Sequence, residues 1–322
     1  MEEIMNRTKK WIIAAVVLLA AGILICGITF AAIGFDFNQL DSGNYETNTY
    51  PVNEPFEDIS IQTDVDDIAF ERSEDGTCKV VCQEKEEKKH EVRVEGQKLL
   101  ITAGDHSWLN FDFLSFRGPS VTVYLPEKTY KALTVDAGTG DVKLPAGLSF
   151  DTIQIDISTG EIDCGASAEQ TVELKATTGD IKAEGFSAGD IFLNVTTGSI
   201  RAIALQSEGP VEADVTTGDA ILESVSCTDL YSDGSTGDLI MKNVTASGEF
   251  KLERSTGDIK FDECDAGCIY AKTSTGDVSG TLLTGKVFMT DTGVGDVDVP
   301  ATAEGGKCEI YTGTGDIRIQ IP

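Results

Sequence analysis

Histidine is almost absent from this chain. There are two, His90 and His106, and they lie on dissimilar stretches. With so few, the sequence offers no Ser-His-Asp or Cys-His arrangement for nucleophilic catalysis. It has no glycine-rich phosphate loop. Its two C-x₃-C spacings, Cys78–Cys82 and Cys264–Cys268, do not match a zinc signature. Basic residues are scarce too: 25 Lys and Arg stand against 54 Asp and Glu, for a net charge of −29. Such a surface repels nucleic acid and anionic lipid heads, and favours cationic partners or divalent metal.

Helical spacing and long loops are also missing over residues 140–315. What fills that span is a repeat. A Thr-Gly or similar corner recurs with its glycine at Gly140, Gly160, Gly179, Gly198, Gly218, Gly237, Gly257, Gly276, Gly295 and Gly315, in steps of 19 or 20. Before each glycine, positions −7, −5 and −3 are mostly apolar, as in Ile153, Ile155 and Ile157. After it, positions +2 and +4 are apolar, as in Ile259 and Phe261. Period-two alternation marks half-buried strands. A further apolar residue near +7 (Phe186, Leu205, Val225, Val244) marks a short third edge. Units of this length with two or three short strands are the coils of a β-solenoid, because one coil cannot bury its apolar face and a stack can. A propeller blade needs roughly 40 residues. The fold class expected is therefore all-β: a β-solenoid (β-helix) of about ten coils over 133–322, with an irregular β N-terminal end over 56–132.

The aspartate after the glycine admits two readings. It can be a turn residue that hydrogen-bonds the corner. It can also be a ligand, because Asp219, Asp238, Asp258, Asp277, Asp296 and Asp316 occupy consecutive repeats, while Glu161 and Ser199 isolate Asp141 and Asp180. Carboxylates stacked about 4.8 Å apart repel by roughly 0.9 kcal/mol per neighbour in water. Splayed side chains or bound Ca²⁺, which accepts several oxygens in flexible geometry, would relieve that.

The N-terminus predicts a membrane anchor. Residues 11–35 carry no charge, which exceeds the ~20 residues needed to cross a bilayer. Arg7, Lys9 and Lys10 precede the run, and Asp36, Asp41 and Glu46 follow it. The charge asymmetry puts residues 1–10 in the cytoplasm and the remainder outside, in a single pass of the cytoplasmic membrane. The run is longer than the core of a cleaved signal peptide. Residues 36–55 are polar and turn-rich, and read as a stalk. The charge run 83–91 reads as a solvated strand or hairpin.

Eight cysteines are present, with Cys26 in the apolar run and seven beyond it. Either the seven are small buried apolar residues, or some pair, with Cys264–Cys268 able to close a small loop. The stretch "HSWLNFDFLSFRGPS" (106–120) concentrates Trp108, Phe111, Phe113 and Phe116. It is read as a loop over the open end of the solenoid, or as an aromatic patch for a partner or membrane surface. At the other end, Ile317, Ile319 and Ile321 finish a strand with no capping helix, so the C-terminal edge is a candidate for homo-association.

The repeated S/T-T-G-D-I/V corners, the segment "FEDISIQTDVDDIAFERSED" and the strand "VTVYLPEKTYKALTV" together resemble a bacterial domain-of-unknown-function family of β-strand-repeat proteins, often labelled adhesins. The resemblance covers about residues 50–322. It implies an extracytoplasmic β-solenoid, commonly behind an N-terminal membrane segment, with an envelope or envelope-stress role. It supplies no catalytic or binding residues to carry over.

Three function classes follow. The first is a non-enzymatic binding or scaffold module, adhesin-like, that holds a cell-envelope component or a membrane-protein partner. The second is an end-to-end structural polymer of the envelope. The third, an enzyme acting on polysaccharide, is the least favoured, because a β-helix enzyme builds its groove from long loops and these repeats have none.

Overall fold

Apolar positions on both sides of a Thr-Gly corner can face one core only if the chain bends at the glycine. The computed structural model, which describes Gly22 and residues 45–103 and 118–321, has that bend in every repeat. Apart from Gly22 and Gly118, the described residues belong to one compact unit, Tyr45–His106 with Pro119–Pro322. It is a β-solenoid of about ten turns. The expected helix over 11–35 and the aromatic residues Trp108, Phe111, Phe113 and Phe116 lie outside the described residues. Among the described ones, no helix is long and apolar enough to cross a membrane.

A typical coil has a long strand running into the corner and a short one leaving it, as in Ser149–Thr159 followed by Ile162–Cys164. Each strand pairs in parallel with its counterpart one repeat on: Ile153 with Val172, Ile155 with Leu174, Ile162 with Ile181. A third face is made by two-residue strands such as Ser187–Ala188 and Gln206–Ser207. The register stacks like on like. Val142, Ile162, Ile181, Ile200, Ala220, Leu239, Ile259, Val278 and Ile317 form one interior ladder, none more than 1% exposed.

Both ends depart from sequence order. At the N-terminal end, Asp58–Thr63 is inserted between Lys98–Thr102 and Thr129–Thr139, parallel to both. Asp67–Arg72 likewise lies between Ser120–Leu125 and Val142–Leu144. The outermost coil is then covered by antiparallel strands: Glu91–Glu95 on Lys98–Thr102, Cys78–Lys85 on Ser120–Leu125, and Tyr45–Val52 on Cys78–Lys85. This corrects the reading of 36–55 as a stalk, because 45–52 is a strand of the domain. Its polar composition is that of an edge strand, and Pro51 is tolerated at such an edge, where a missing N–H costs no ladder bond. Tyr50 and Val52 pack against the core.

The C-terminal end mirrors this. Gly306–Thr314 sits between the Ile259–Thr275 strand and Lys286–Val294, and Ile317–Gln320 sits between Val278–Leu282 and Val297–Asp298. The last coil in sequence is therefore next to last in space. The expectation that the C-terminal strand forms the open edge is overturned: Ile317 and Ile319 are buried, and the edge is 286–298. Burial decides the exchange. The 306–320 coil turns Cys308, Ile310, Ile317 and Ile319 inward, with Thr312 the one polar inward position, its hydroxyl donating to the Gly276 carbonyl. The 286–298 coil, rich in Thr, Gly and Asp, can stand at an end with Val287, Met289, Val294 and Val297 exposed.

Candidate functional site

The repeated corner is built on a backbone contact. Its glycines have φ between +124° and +153°, a region essentially reserved for glycine. A Cβ on any of them would lie 1.7–2.2 Å from a carbonyl oxygen of the neighbouring coil, which is the stacked glycine's oxygen in all but Gly140. From Gly140 to Gly276 the glycine N–H donates to the threonine carbonyl of the next coil in space, as from Gly218 to Thr236 at 2.8 Å, and Gly315 donates to the Val294 carbonyl. Glycine is thus required both by the turn and by the closeness of the stack.

The aspartates form a second ladder outside this one. Asp219 Oδ1 accepts the backbone N–H of Asp238 at 2.8 Å, Asp238 that of Asp258 at 2.9 Å, and Asp258 that of Asp277 at 2.9 Å. The chain exchange carries it on: Asp277 accepts from Asp316 at 2.8 Å, and Asp316 from Asp296 at 2.7 Å. Earlier rungs join as well, with Asp141 accepting from Glu161 and Asp180 from Ser199. The ladder begins at Asp67, which accepts from Asp141 at 3.0 Å. Asp67 escapes the motif count because no Thr-Gly precedes it.

The stacked charge is therefore relieved by backbone N–H groups. Lys260 adds to this, lying 3.1 Å from Asp238 and 3.0 Å from Asp258, as does Arg318 at 2.6 Å from Asp316. Among the described residues, three or more potential metal-ligating side chains converge within 4.8 Å only at Cys82, Glu84 and His90. The six aspartates expected as a calcium ladder do not converge in that way. Each has one oxygen committed to the stack, except Asp296, which ends the ladder.

This geometry has a consequence for acid stability. The Asp277 N–H holds the Asp258 carboxyl below the usual range, as the Asp296 N–H does for Asp316. A carboxylate with a depressed folded pKa contributes stability that is present above about pH 4 and lost as pH falls through the folded value. Asp258→Ala removes an acceptor and is expected to cost about 1 kcal/mol. Asp258→Asn keeps a carbonyl acceptor, costs less, and blunts the acid sensitivity. Urea melts at pH 7 and pH 3.5 measure both.

A broader candidate surface is the outer face of the long-strand sheet. In one column, register stacks Glu173, Phe192, Glu212, Tyr231, Lys251 and Tyr270 in turn. In the next column stand Asn194, Asp214, Asp233, Glu253, Lys272 and Tyr311. Aromatic rings recur on alternate rungs, and Tyr270 and Tyr311 pack at 6.0 Å between centroids. Acids outnumber bases. Burial pushes the Asp214 carboxyl up to about 6, so the face becomes less negative as the medium acidifies. The hollows here are shallow dents. One of about 300 Å³ is lined by Lys175, Asn194, Thr196, Asp214 and Thr216, and another of about 350 Å³ lies on the short-strand side by Lys143, Asp163 and Glu184.

The seven described cysteines are all free thiols, so neither C-x₃-C spacing closes a loop. Six are buried and Cys268 is exposed. The reading of 83–91 as wholly solvated fails at its first residues. Cys78, Val80, Cys82 and Glu84 share the inward face of one strand, and the turn brings His90 back onto Glu84 and Cys82. A Cys-His constellation absent from the linear sequence is thus present in space. The signal that could have found it is phase, since Glu84 continues the inward alternation of 78–82.

Arg254 is a second surprise. It is buried in an interior column, donating to Ser232 Oγ at 2.9 Å and to the Glu253 carbonyl at 2.8 Å. Gly234 leaves room for it, since a Cβ there would come within 3.0 Å of the guanidinium.

Residues 56–220 and 206–322 match one family model, Toastrack DUF4097. No curated protein matches the chain. Among solved structures, a candidate adhesin from Bacteroides fragilis is 18% identical with a TM-score of 0.43, over 87% of this chain and 98% of that one. A candidate lipid-binding protein from Parabacteroides distasonis is 16% identical with a TM-score of 0.40, over 75% of this chain and 98% of that one. A candidate adhesin from the same organism is 12% identical with a TM-score of 0.38, over 86% and 98%.

Proposed function

Since the chain belongs to the Toastrack DUF4097 family, whose solenoid offers long flush faces, we propose that it is a non-enzymatic binding or scaffold module. In this reading it stands outside the cytoplasmic membrane on the apolar run 11–35, and holds an extended cationic envelope component or partner segment. The observation that carries the reading is the acidic, aromatic outer face of the long-strand sheet. Its ladders run unbroken from coil to coil with no loop walls. Extended faces of this kind are what solenoids use for binding. Tyrosine and phenylalanine faces attract cations through the ring quadrupole, and the carboxylates between them add long-range attraction.

The test uses the full chain in detergent with poly-lysine and poly-glutamate as probes. Poly-lysine is expected to bind, and to weaken steeply with salt because exposed charges are screened beyond about 8 Å at 0.15 M. Tyr231→Ala with Tyr270→Ala, Glu212→Gln and Glu253→Gln is expected to lower affinity at least ~10-fold, as loss of about 1.4 kcal/mol would. A control with the same charge change on the short-strand side, Asp163→Asn with Glu184→Gln, should bind nearly as the parent does. Equal losses in the two variants would show that net charge alone is responsible and would sink the reading.

A further inference from the structure

The N-terminal end holds a group of side chains that neither the stacking of coils nor the binding face uses. His90, Glu84, Asp66 and Cys82 are all buried. Asp66 comes from the corner between Asp58–Thr63 and Asp67–Arg72. Cys82 and Glu84 come from the strand Cys78–Lys85, and His90 from the turn that follows it. His90 Nδ1 is 2.7 Å from Glu84 Oε2, and His90 Nε2 is 3.0 Å from Asp66 Oδ1. The other oxygen of Glu84 accepts from Tyr50 Oη at 2.5 Å and Asn48 Nδ2 at 2.8 Å. Ligand atoms of Cys82, Glu84 and His90 all lie within 4.8 Å of one another.

A protonated imidazole between two carboxylates accounts for part of this. It makes no use of the Cys82 Sγ that converges on the same point. A metal ion would use the thiol, the imidazole and the carboxylate together. Thiolate, imidazole and carboxylate together suit a zinc-class ion, and unlike an all-oxygen set they do not suit Ca²⁺ or Mg²⁺. Metal-bound histidines usually donate their second ring N–H to a carboxylate, and metal-bound carboxylates are themselves hydrogen-bonded. Asp66 stands in the first of those positions, and Tyr50 with Asn48 in the second.

We infer that Cys82, Glu84 and His90 form a binding site for a zinc-class divalent ion, with Asp66 as the outer partner that orients His90. His90 Nδ1, Cys82 Sγ and Glu84 Oε2 are the ligand atoms, and His90 Nε2–H donates to Asp66. Binding replaces the proton on Nδ1 and the proton on the Cys82 thiol, so two protons leave as one M²⁺ enters. The ion ties the strand Cys78–Lys85 to the turn at His90, and through His90 to the corner at Asp66. That corner is the foot of the aspartate ladder, which starts at Asp67.

The experiment takes the full chain in detergent, in a Cys268→Ser background so that the exposed thiol cannot contribute. The protein is stripped with EDTA and loaded with Zn²⁺ or Co²⁺. One ion per chain is expected to survive gel filtration, with about two protons released per ion in weak buffer. The cobalt form should show a near-ultraviolet thiolate-to-cobalt band. Cys82→Ser removes the band, and His90→Gln removes the retained ion. Asp66→Asn keeps the ligands and should weaken retention 10–100-fold. No retained ion, or a cobalt complex without the thiolate band, overturns the proposal, and both are read on protein with its ligand residues intact whether or not the variants fold. Zinc held equally by the parent and by folded Cys82→Ser also overturns it. Binding of poly-lysine is independent of this result, so the two readings fail separately.

Discussion

Gly257→Ala is expected to cost about 4 kcal/mol or more, at the upper end of single-substitution effects, and to open the solenoid at one rung. Two effects add. Gly257 has φ +142°, where an L-residue is strained by about 1–3 kcal/mol. Its added Cβ would also sit 2.0 Å from the Gly237 carbonyl oxygen and 2.6 Å from the carbonyl carbon. Both sides of that contact are backbone, so no rotamer change relieves it, and the coils must separate. Solenoid stability is close to a sum of coil and nearest-neighbour terms. The loss should therefore be local, with faster hydrogen exchange in Leu239–Lys242 and Ile259–Thr275 and a biphasic urea melt. The other corner of the coil gives the contrast. Ala204, Ser224, Asn243 and Glu263 have φ of 51–57° six residues after their corner glycine. Gly185, in the equivalent place, has nothing within 4 Å of where a Cβ would be. Ala204→Gly should thus be neutral or stabilise by up to about 1 kcal/mol, by relieving a left-handed alanine. Equal destabilisation by the two substitutions would show that the close approach at the Thr-Gly corner is not what makes its glycine necessary.

The second large effect is expected from Glu84→Ala, measured with EDTA present. Breaking a buried ion pair by removing one partner costs about 3–5 kcal/mol. Here the truncation also strands the Tyr50 hydroxyl and the Asn48 amide. The loss should appear as faster exchange across Tyr45–Val52 and Cys78–Glu95, with the coils beyond residue 149 unchanged. Its pH dependence follows from the charges. Burial alone would push His90 down, but Asp66, Cys82 and Glu84 raise it to about 11. That contribution is complete below the unfolded value near 6.5 and is lost as pH rises toward 11. Burial pushes Glu84 up, but the His90 N–H, Tyr50 and Asn48 hold its carboxyl below the usual range. That contribution is present above about pH 4.3 and is lost as pH falls. The N-terminal end should therefore be most stable between those limits, and Glu84→Ala should flatten the curve. Uniform loosening of the whole solenoid would contradict the local role.

The corner motif was legible because the same physical demand recurs in every coil. Gly160, Gly218 and Gly276 each face a stacked glycine oxygen, so the letter cannot vary. The second corner was not legible. A left-handed turn without a close approach accepts Ala, Ser, Asn, Glu or Gly, and five letters in five coils leave no signal. The aspartate column was visible, but its use was not. A carboxylate that repels its neighbours and one that accepts the next coil's N–H are the same letter at the same spacing. Only the rung distance, with Oδ1 within 2.7–3.0 Å of a backbone nitrogen, separates them.

The sequence by itself determined the period, the two-faced strands, the interior ladders and the acidic exterior. These depend on contacts between residues 19 or 20 apart that repeat until they cannot be missed. The tertiary structure alone decided what happens where the repeat stops. At one end Asp58–Thr63 slips inside a coil that comes later in the chain, and at the other Gly306–Thr314 slips inside one that comes earlier. At the C-terminal end the reason is burial, since the coil with buried Ile310, Ile317 and Ile319 takes the interior place and the coil with exposed Val294 and Val297 takes the end. The same folding brings Asp66 onto His90 from 24 residues away, a meeting that no spacing in the sequence encodes.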